Sequence, residues 1–178
     1  MNLFKCVAAT AALALTLTTA ALVGAVPSQA LTAPRMTQTE TAWGAAVLDL
    51  LNAERSAHGR AALRLNQRLV RSAMYHNALM AQANTLSHQL PNERAFTDRE
   101  LAFGYRWSTA AENCGVNPDV SKRGVLQLQR IMYRERPPGE TGHRENILSG
   151  NYRDIGIAVL IDRKNQRVWL TEDFGAPA

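Results

Sequence analysis

The chain has 178 residues, a formal charge of +5 at neutral pH, 46% hydrophobic residues and 6% aromatics. Arginines alternate with acids and no long run of like charge occurs, so the clustered cations and stacking aromatics of a nucleic-acid groove are missing and no nucleic-acid partner is expected. With only two cysteines, Cys6 and Cys114, a disulfide framework is excluded as the basis of the fold.

In chain order, Lys5 is followed by an apolar and small-residue stretch, Cys6 to Val26, and then by P-S-Q-A. Ser28 and Ala30 occupy the small-residue places before a cleavage point, which predicts a secretory signal peptide over residues 1–30 rather than a retained membrane anchor. Cleavage leaves one domain of about 150 residues with room for its own core. It also leaves no transmembrane segment and implies a location outside the cell or in its envelope. Cys6 departs with the signal, so Cys114 is expected as a small buried residue without a partner. Residues 31–40 are a short polar lead-in and 41–178 the domain.

From about Glu40 to His58 the residues Trp43, Val47, Leu50 and Leu51 fall at helical spacing, and Gly59 stops the helix. A second helix follows Asn66, with Leu69, Ala73, His76, Met80 and Ala83 on one face. His76 is therefore expected as a hydrogen-bonded core residue. Pro91 prevents continuation, and a short helix is predicted from Thr97 to Phe103, closed by Gly104. A longer one is predicted from an Asp119 cap to Arg134, with Gly124 as a costly interior glycine and Glu135 on its inward side. The tail changes period: Ile155–Asp162 and Arg167–Phe174 alternate around a polar turn, as an antiparallel hairpin does. Helices first and a small sheet later make the fold class α+β.

Five segments in this order carry a family resemblance: L-L-N-A-E-R-S-A-H-G-R; A-M-Y-H-N-A-L-M-A with L-S-H; G-Y-R-W-S-T-A-A-E-N; T-G-H-R-E-N-I-L; and I-G-I-A-V with W-L-T-E-D-F-G. The chain resembles the CAP superfamily (SCP/PR-1-like domains), specifically its bacterial secreted branch. The resemblance implies a three-layer α-β-α sandwich with a central antiparallel sheet and a cleft lined by two histidines and two acids. Residue by residue it points to His88 in L-S-H, Glu112 in A-E-N and His143 in T-G-H-R. The fourth, Glu135 in I-M-Y-R-E, has Glu140 as its competitor. Ala111 departs from the glycine usual before E-N, and Cys114 from the usual aliphatic.

Two glutamates drawn out of water cost several kcal/mol each unless compensated. The expectation is therefore either protonated histidines or a divalent cation. No cofactor is required, but His88 and His143, with Glu112 or Glu135, suit zinc or another divalent ion with one position open. The resemblance implies a non-enzymatic binding or interaction domain for a lipid, a sterol, a protein or a cell-envelope partner, as a monomer or weak dimer. The alternative is a metal-dependent extracellular hydrolase or protease with Glu112 as general base. H-R-E-N-I is not the zinc-protease H-E-x-x-H pattern, no G-x-S-x-G elbow occurs, and Ser87 beside His88 is not by adjacency a nucleophile–base pair.

Overall fold

The computed structural model describes residues 31–136 and 142–178. The expected signal peptide over 1–30, and Glu140, lie outside the described residues. Helix α1 (Gln38–Ser56) begins at a reciprocal cap in which Thr37 accepts from the Glu40 amide and the Glu40 carboxylate accepts from the Thr37 amide. Its other oxygen accepts from the Ile161 amide at 2.8 Å, so the cap also docks the helix on the sheet. After β1 (Arg64–Leu65), α2 (Gln67–Ala83) starts at Asn66, as the sequence indicates, and ends in a left-handed turn at Asn84. Helix α3 (Phe96–Ala102) is closed by Gly104 at φ 85°.

Strand β2 (Trp107–Asn117) is followed by α4 (Lys122–Arg134), α5 (Gly142–Leu148), β3 (Asp154–Asp162) and β4 (Arg167–Pro177). The cap of α4 is Ser121, not Asp119; Asp119 instead braces the preceding turn by accepting from the Ser121 hydroxyl and Arg123. The glycine inside α4 has a steric cause, because a Cβ on Gly124 would stand 1.9 Å from the Asp119 carbonyl oxygen. Glu135 leaves the helix with extended backbone (φ −52°, ψ 137°) and so does not continue its inward face.

The sheet order is β1-β3-β4-β2. The β3–β4 hairpin closes at Asp162↔Arg167, as the alternating pattern predicts, and β2 runs antiparallel to β4. The two-residue β1 pairs parallel to β3, so the sheet is mixed rather than wholly antiparallel. Alternation splits the strands between two cores. Ile155, Ile157, Val159, Leu170 and Phe174 meet Val47 and Leu51 of α1, Val125, Leu128 and Met132 of α4, and Ile147 of α5. On the other face Trp169 packs with Met80 and Cys114, and Ala158 with Ala73 and Met74. The result is a three-layer α-β-α sandwich. Each fully buried large aliphatic contributes roughly 1.5–3 kcal/mol. Among the described residues no helix is long and apolar enough to cross a membrane.

The α2 layer lies so close to β3 that a Cβ on Gly156 would stand 2.1 Å from the Leu69 carbonyl carbon and 2.4 Å from the Val70 nitrogen. Backbone cannot yield as a side-chain tip does. Gly156→Ala is expected to cost about 3 kcal/mol, read as a lowered denaturant midpoint; an unchanged midpoint would show that the two layers are not in this contact.

Candidate functional site

The open edge of the sheet is β2, and the four sequence-predicted residues meet over it. Glu112 lies in β2 opposite Asp173 of β4. His88 comes from the segment after α2. That segment is pinned by His76, whose Nε2 bonds the Ser87 carbonyl at 2.8 Å. His88 Nδ1 reaches Glu112 Oε1 at 2.9 Å. From the other layer, Glu135 at the end of α4 meets His143 at the start of α5, with Nδ1 to Oε1 at 2.5 Å. The second oxygen of Glu135 accepts from the His143 and Arg144 amides at 3.0 and 3.3 Å, so one carboxylate both orients the ring and caps α5. The two imidazole centroids are 6.5 Å apart, and the side chains are 30% and 16% exposed.

Behind His88 lies a polar cluster the sequence does not announce. Arg99 of α3 is wholly buried. Its guanidinium makes a close ion pair with Glu112, bonds Glu93 at 3.0 Å and Ser72 at 3.3 Å, and stands 3.7 Å from Asp173. Glu93 also bonds His76 Nδ1 at 2.7 Å, so His76 is a core histidine held at both ring nitrogens. Burial would raise the Glu112 carboxyl, but Arg99 and the contacts of His88 and His76 hold it well below the usual carboxylate range. For Glu112, the compensation expected from protonated histidines or a cation is thus supplied chiefly by a buried arginine.

At other buried carboxylates burial outweighs such support. Burial and the neighbouring Asp173 push Glu100 up to about 10. Burial raises Asp173 to about 7, with Arg99 opposing. On the opposite face burial raises Glu172 to about 8, against a 3.1 Å bond from Asn113. Asn113 also donates to the His143 carbonyl at 3.3 Å and accepts from Asn146 at 2.9 Å, which ties α5 to β2.

The donors His76, Glu112 and Cys114 lie within 4.8 Å of one another, a spacing that could hold a metal ion. Their chemistry opposes it: both His76 nitrogens and both Glu112 oxygens are engaged, and burial holds the Cys114 thiol protonated by pushing it well above its ordinary range. Cys114 is buried and free, the small core residue expected. Ser87 donates to the Gln89 carbonyl at 2.7 Å, a turn bond rather than a bond to histidine.

Sequence reasoning found the four residues at the edge and missed Arg99, Glu93 and Asn113. A seven-residue helix gives no reliable inward face, and a lone arginine on it reads as solvated. The E-R-A-F-T-D-R-E run carried no signal that would have marked Arg99.

The three-layer α-β-α sandwich is the fold of the SCP-domain class. The model of the CAP family, the cysteine-rich secretory protein family, matches residues 48–174, and the chain belongs to that family, in its bacterial branch. It is 27% identical over 129 residues to the uncharacterized protein YkwD of Bacillus subtilis (strain 168), covering 72% of this chain and 46% of that protein. The chain thus spans less than half the length of this curated relative. It shares its fold with an extracellular protein containing a SCP domain from Bacillus anthracis str. Ames (TM-score 0.65, 24% identity, 80% of this chain and 44% of that one). It also shares it with NaASP2, solved with Zn2+ (TM-score 0.56, 12% identity, 80% and 84%).

Two stability measurements check this electrostatic picture. Arg99→Met leaves Glu93 and Glu112 buried without their counter-charge and is expected to cost about 3–5 kcal/mol, seen in chemical denaturation. Glu172 favours the folded state fully below its unfolded value of 4.5, and that contribution is lost as pH rises through about 8. Glu172→Gln should therefore raise stability by roughly 2 kcal/mol on the alkaline side and not on the acid side; a gain independent of pH would contradict the assignment.

Proposed function

We propose that the chain is an exported CAP-domain protein, matured by loss of residues 1–30, whose His88–Glu112 and His143–Glu135 pairs form a binding cleft outside the cell or in its envelope. It performs no chemical step of its own. The observation that carries this reading is the arrangement of the two imidazoles. Each is fixed through Nδ1 by a glutamate, and neither Nε2 has a partner among the described residues. A carboxylate behind a histidine orients the ring and sets the tautomer that presents Nε2 to a ligand.

The donor set fits a divalent cation such as zinc, held by His88 and His143 with Glu112 and Glu135 orienting them from behind. Bound there, the ion would supply positive charge and an open Lewis-acid position for a carbonyl or anionic group. This assigns the glutamates to support rather than to ligation, because both oxygens of Glu112 are taken by His88 and Arg99. NaASP2, which shares the fold, was solved with Zn2+, and this favours zinc as the ion to test. A lipid, a sterol or a protein surface remains the ligand class implied by the family resemblance.

The hydrolase reading is weaker for an electrostatic reason. A general base works best with a pKa near the operating pH, and Glu112 is held far below that.

Calorimetric titration of zinc into the purified chain at about pH 8, where imidazole is free to ligate, is expected to give one site. His88→Ala or His143→Ala should abolish it, and Glu135→Gln should weaken it roughly 10–100-fold. Unchanged binding by the double histidine variant would overturn the metal assignment. Screens with zinc against casein, esters and cell-wall material should show no turnover; activity lost on Glu112→Gln with folding intact would restore the hydrolase.

A further inference from the structure

A second recess lies at the end of the sheet where β2 and β3 begin and β4 finishes. Its volume is about 590 Å³, and Arg64, Arg153, Ser108, Thr109 and Asn151 line it. That size is within the range of small-ligand sites, about 300–1,000 Å³. The backbone around it is rigid. The Arg153 amide donates to the Gly175 carbonyl at 2.9 Å, and the Arg153 carbonyl accepts from the Arg64 amide at 3.0 Å.

Charge at this recess is one-sided. Arg64 bonds Asp154 at 3.2 Å, and Asp154 also accepts from the Tyr105 hydroxyl at 3.2 Å, so that acid is used. Arg153 has no carboxylate partner among the described residues, and Arg60 adds a third guanidinium 3.5 Å from where a Cβ on Gly150 would stand. Guanidinium groups present paired donors matched to carboxylate and phosphate oxygens. The other lining side chains are the hydroxyls of Ser108 and Thr109, the Asn151 amide and the apolar Ala176 and Pro177, and the Ser108 hydroxyl already donates to the Ala176 and Pro177 carbonyls at 3.3 and 3.2 Å. Hydroxyls and amides on a rigid wall suit a hydroxyl-rich ligand. The absence of aromatic lining gives no platform for stacking bases.

We propose that this recess binds an anionic saccharide, a sugar unit carrying a carboxylate or a phosphate, with Arg153 and Arg64 gripping the anion and Ser108, Thr109 and Asn151 meeting the hydroxyls. The site is separate from the histidine pairs. Thr109 is three residues from Glu112, roughly 10 Å along β2, and their side chains point to opposite faces of the sheet.

The test is two-dimensional NMR of the full chain at low salt, where screening is weak, titrated with D-glucuronate and with glucose 1-phosphate. D-glucose and inorganic phosphate serve as controls. One or both acidic sugars should shift the amides of Thr109, Asn151 and Arg153, and which one binds tighter identifies the anionic group. Arg153→Ala should weaken the binding roughly tenfold or more, with the thermal midpoint retained because its side chain is exposed. Asn151→Asp, which places a negative charge on the rim, should abolish it, while the His88→Ala, His143→Ala double variant should bind as before. No shift with either acidic sugar at millimolar concentration would overturn the proposal. So would equal binding by Arg153→Ala, or binding of glucose or of free phosphate as tight as that of the acidic sugars.

Discussion

The guanidinium of Arg99 holds the middle of this molecule together. It is removed from water, at a cost of several kcal/mol, and meets that cost through Glu93, Glu112, Asp173 and Ser72. Those partners come from four places in the fold: the segment after α2, strand β2, strand β4 and helix α2. One planar cation therefore ties α3 to the sheet and to the layer above it. It also keeps Glu112 ionised, and an ionised Glu112 is what anchors His88. A neutral core of the same volume would fold the sandwich but would leave that histidine without a fixed orientation.

The position of the site follows from the sheet order. Because β2 is the outer strand, both helical layers end near it, and neither has to bridge a further strand to reach the other. The loop after α2 delivers His88 from one side, and the α4–α5 connection delivers His143 from the other. Glu135 turns out of α4 at the place where α5 needs an N-terminal acceptor, and the carboxylate serves both ends of that turn. Asn113, at the same edge but facing the opposite layer, links Glu172, Asn146 and the His143 carbonyl. His143 thus stands at a helix terminus and His88 on a loop pinned by His76, both braced by polar bonds, the kind of support that precise ligand geometry requires.

Much of this was legible before folding. The period-2 alternation of Ile155–Asp162 and Arg167–Phe174 fixed the hairpin, because only a half-turn repeat sends successive residues to two different cores. The Asn66 cap and the spacing of Leu69, Ala73, His76 and Met80 fixed α2 and the burial of His76. The motifs around His88, Glu112 and His143 located three members of the edge cluster, and Glu135 was placed from its segment. Strand β2 was less legible: W-S-T-A-A-E-N-C-G-V-N lacks strong alternation, since its inward positions are small or polar residues whose partners lie elsewhere in the chain.

The sequence by itself determined the α+β class and the hairpin, because periodicity is a local property of the chain, and the family resemblance of its short motifs pointed to the layers and the edge residues. Only the tertiary structure decided the charge balance. Whether Glu112 needs a cation, whether Arg99 is solvated, and which face of a seven-residue helix turns inward depend on atoms brought together from distant segments. Dielectric surroundings are a property of the packed molecule, and no local pattern encodes them.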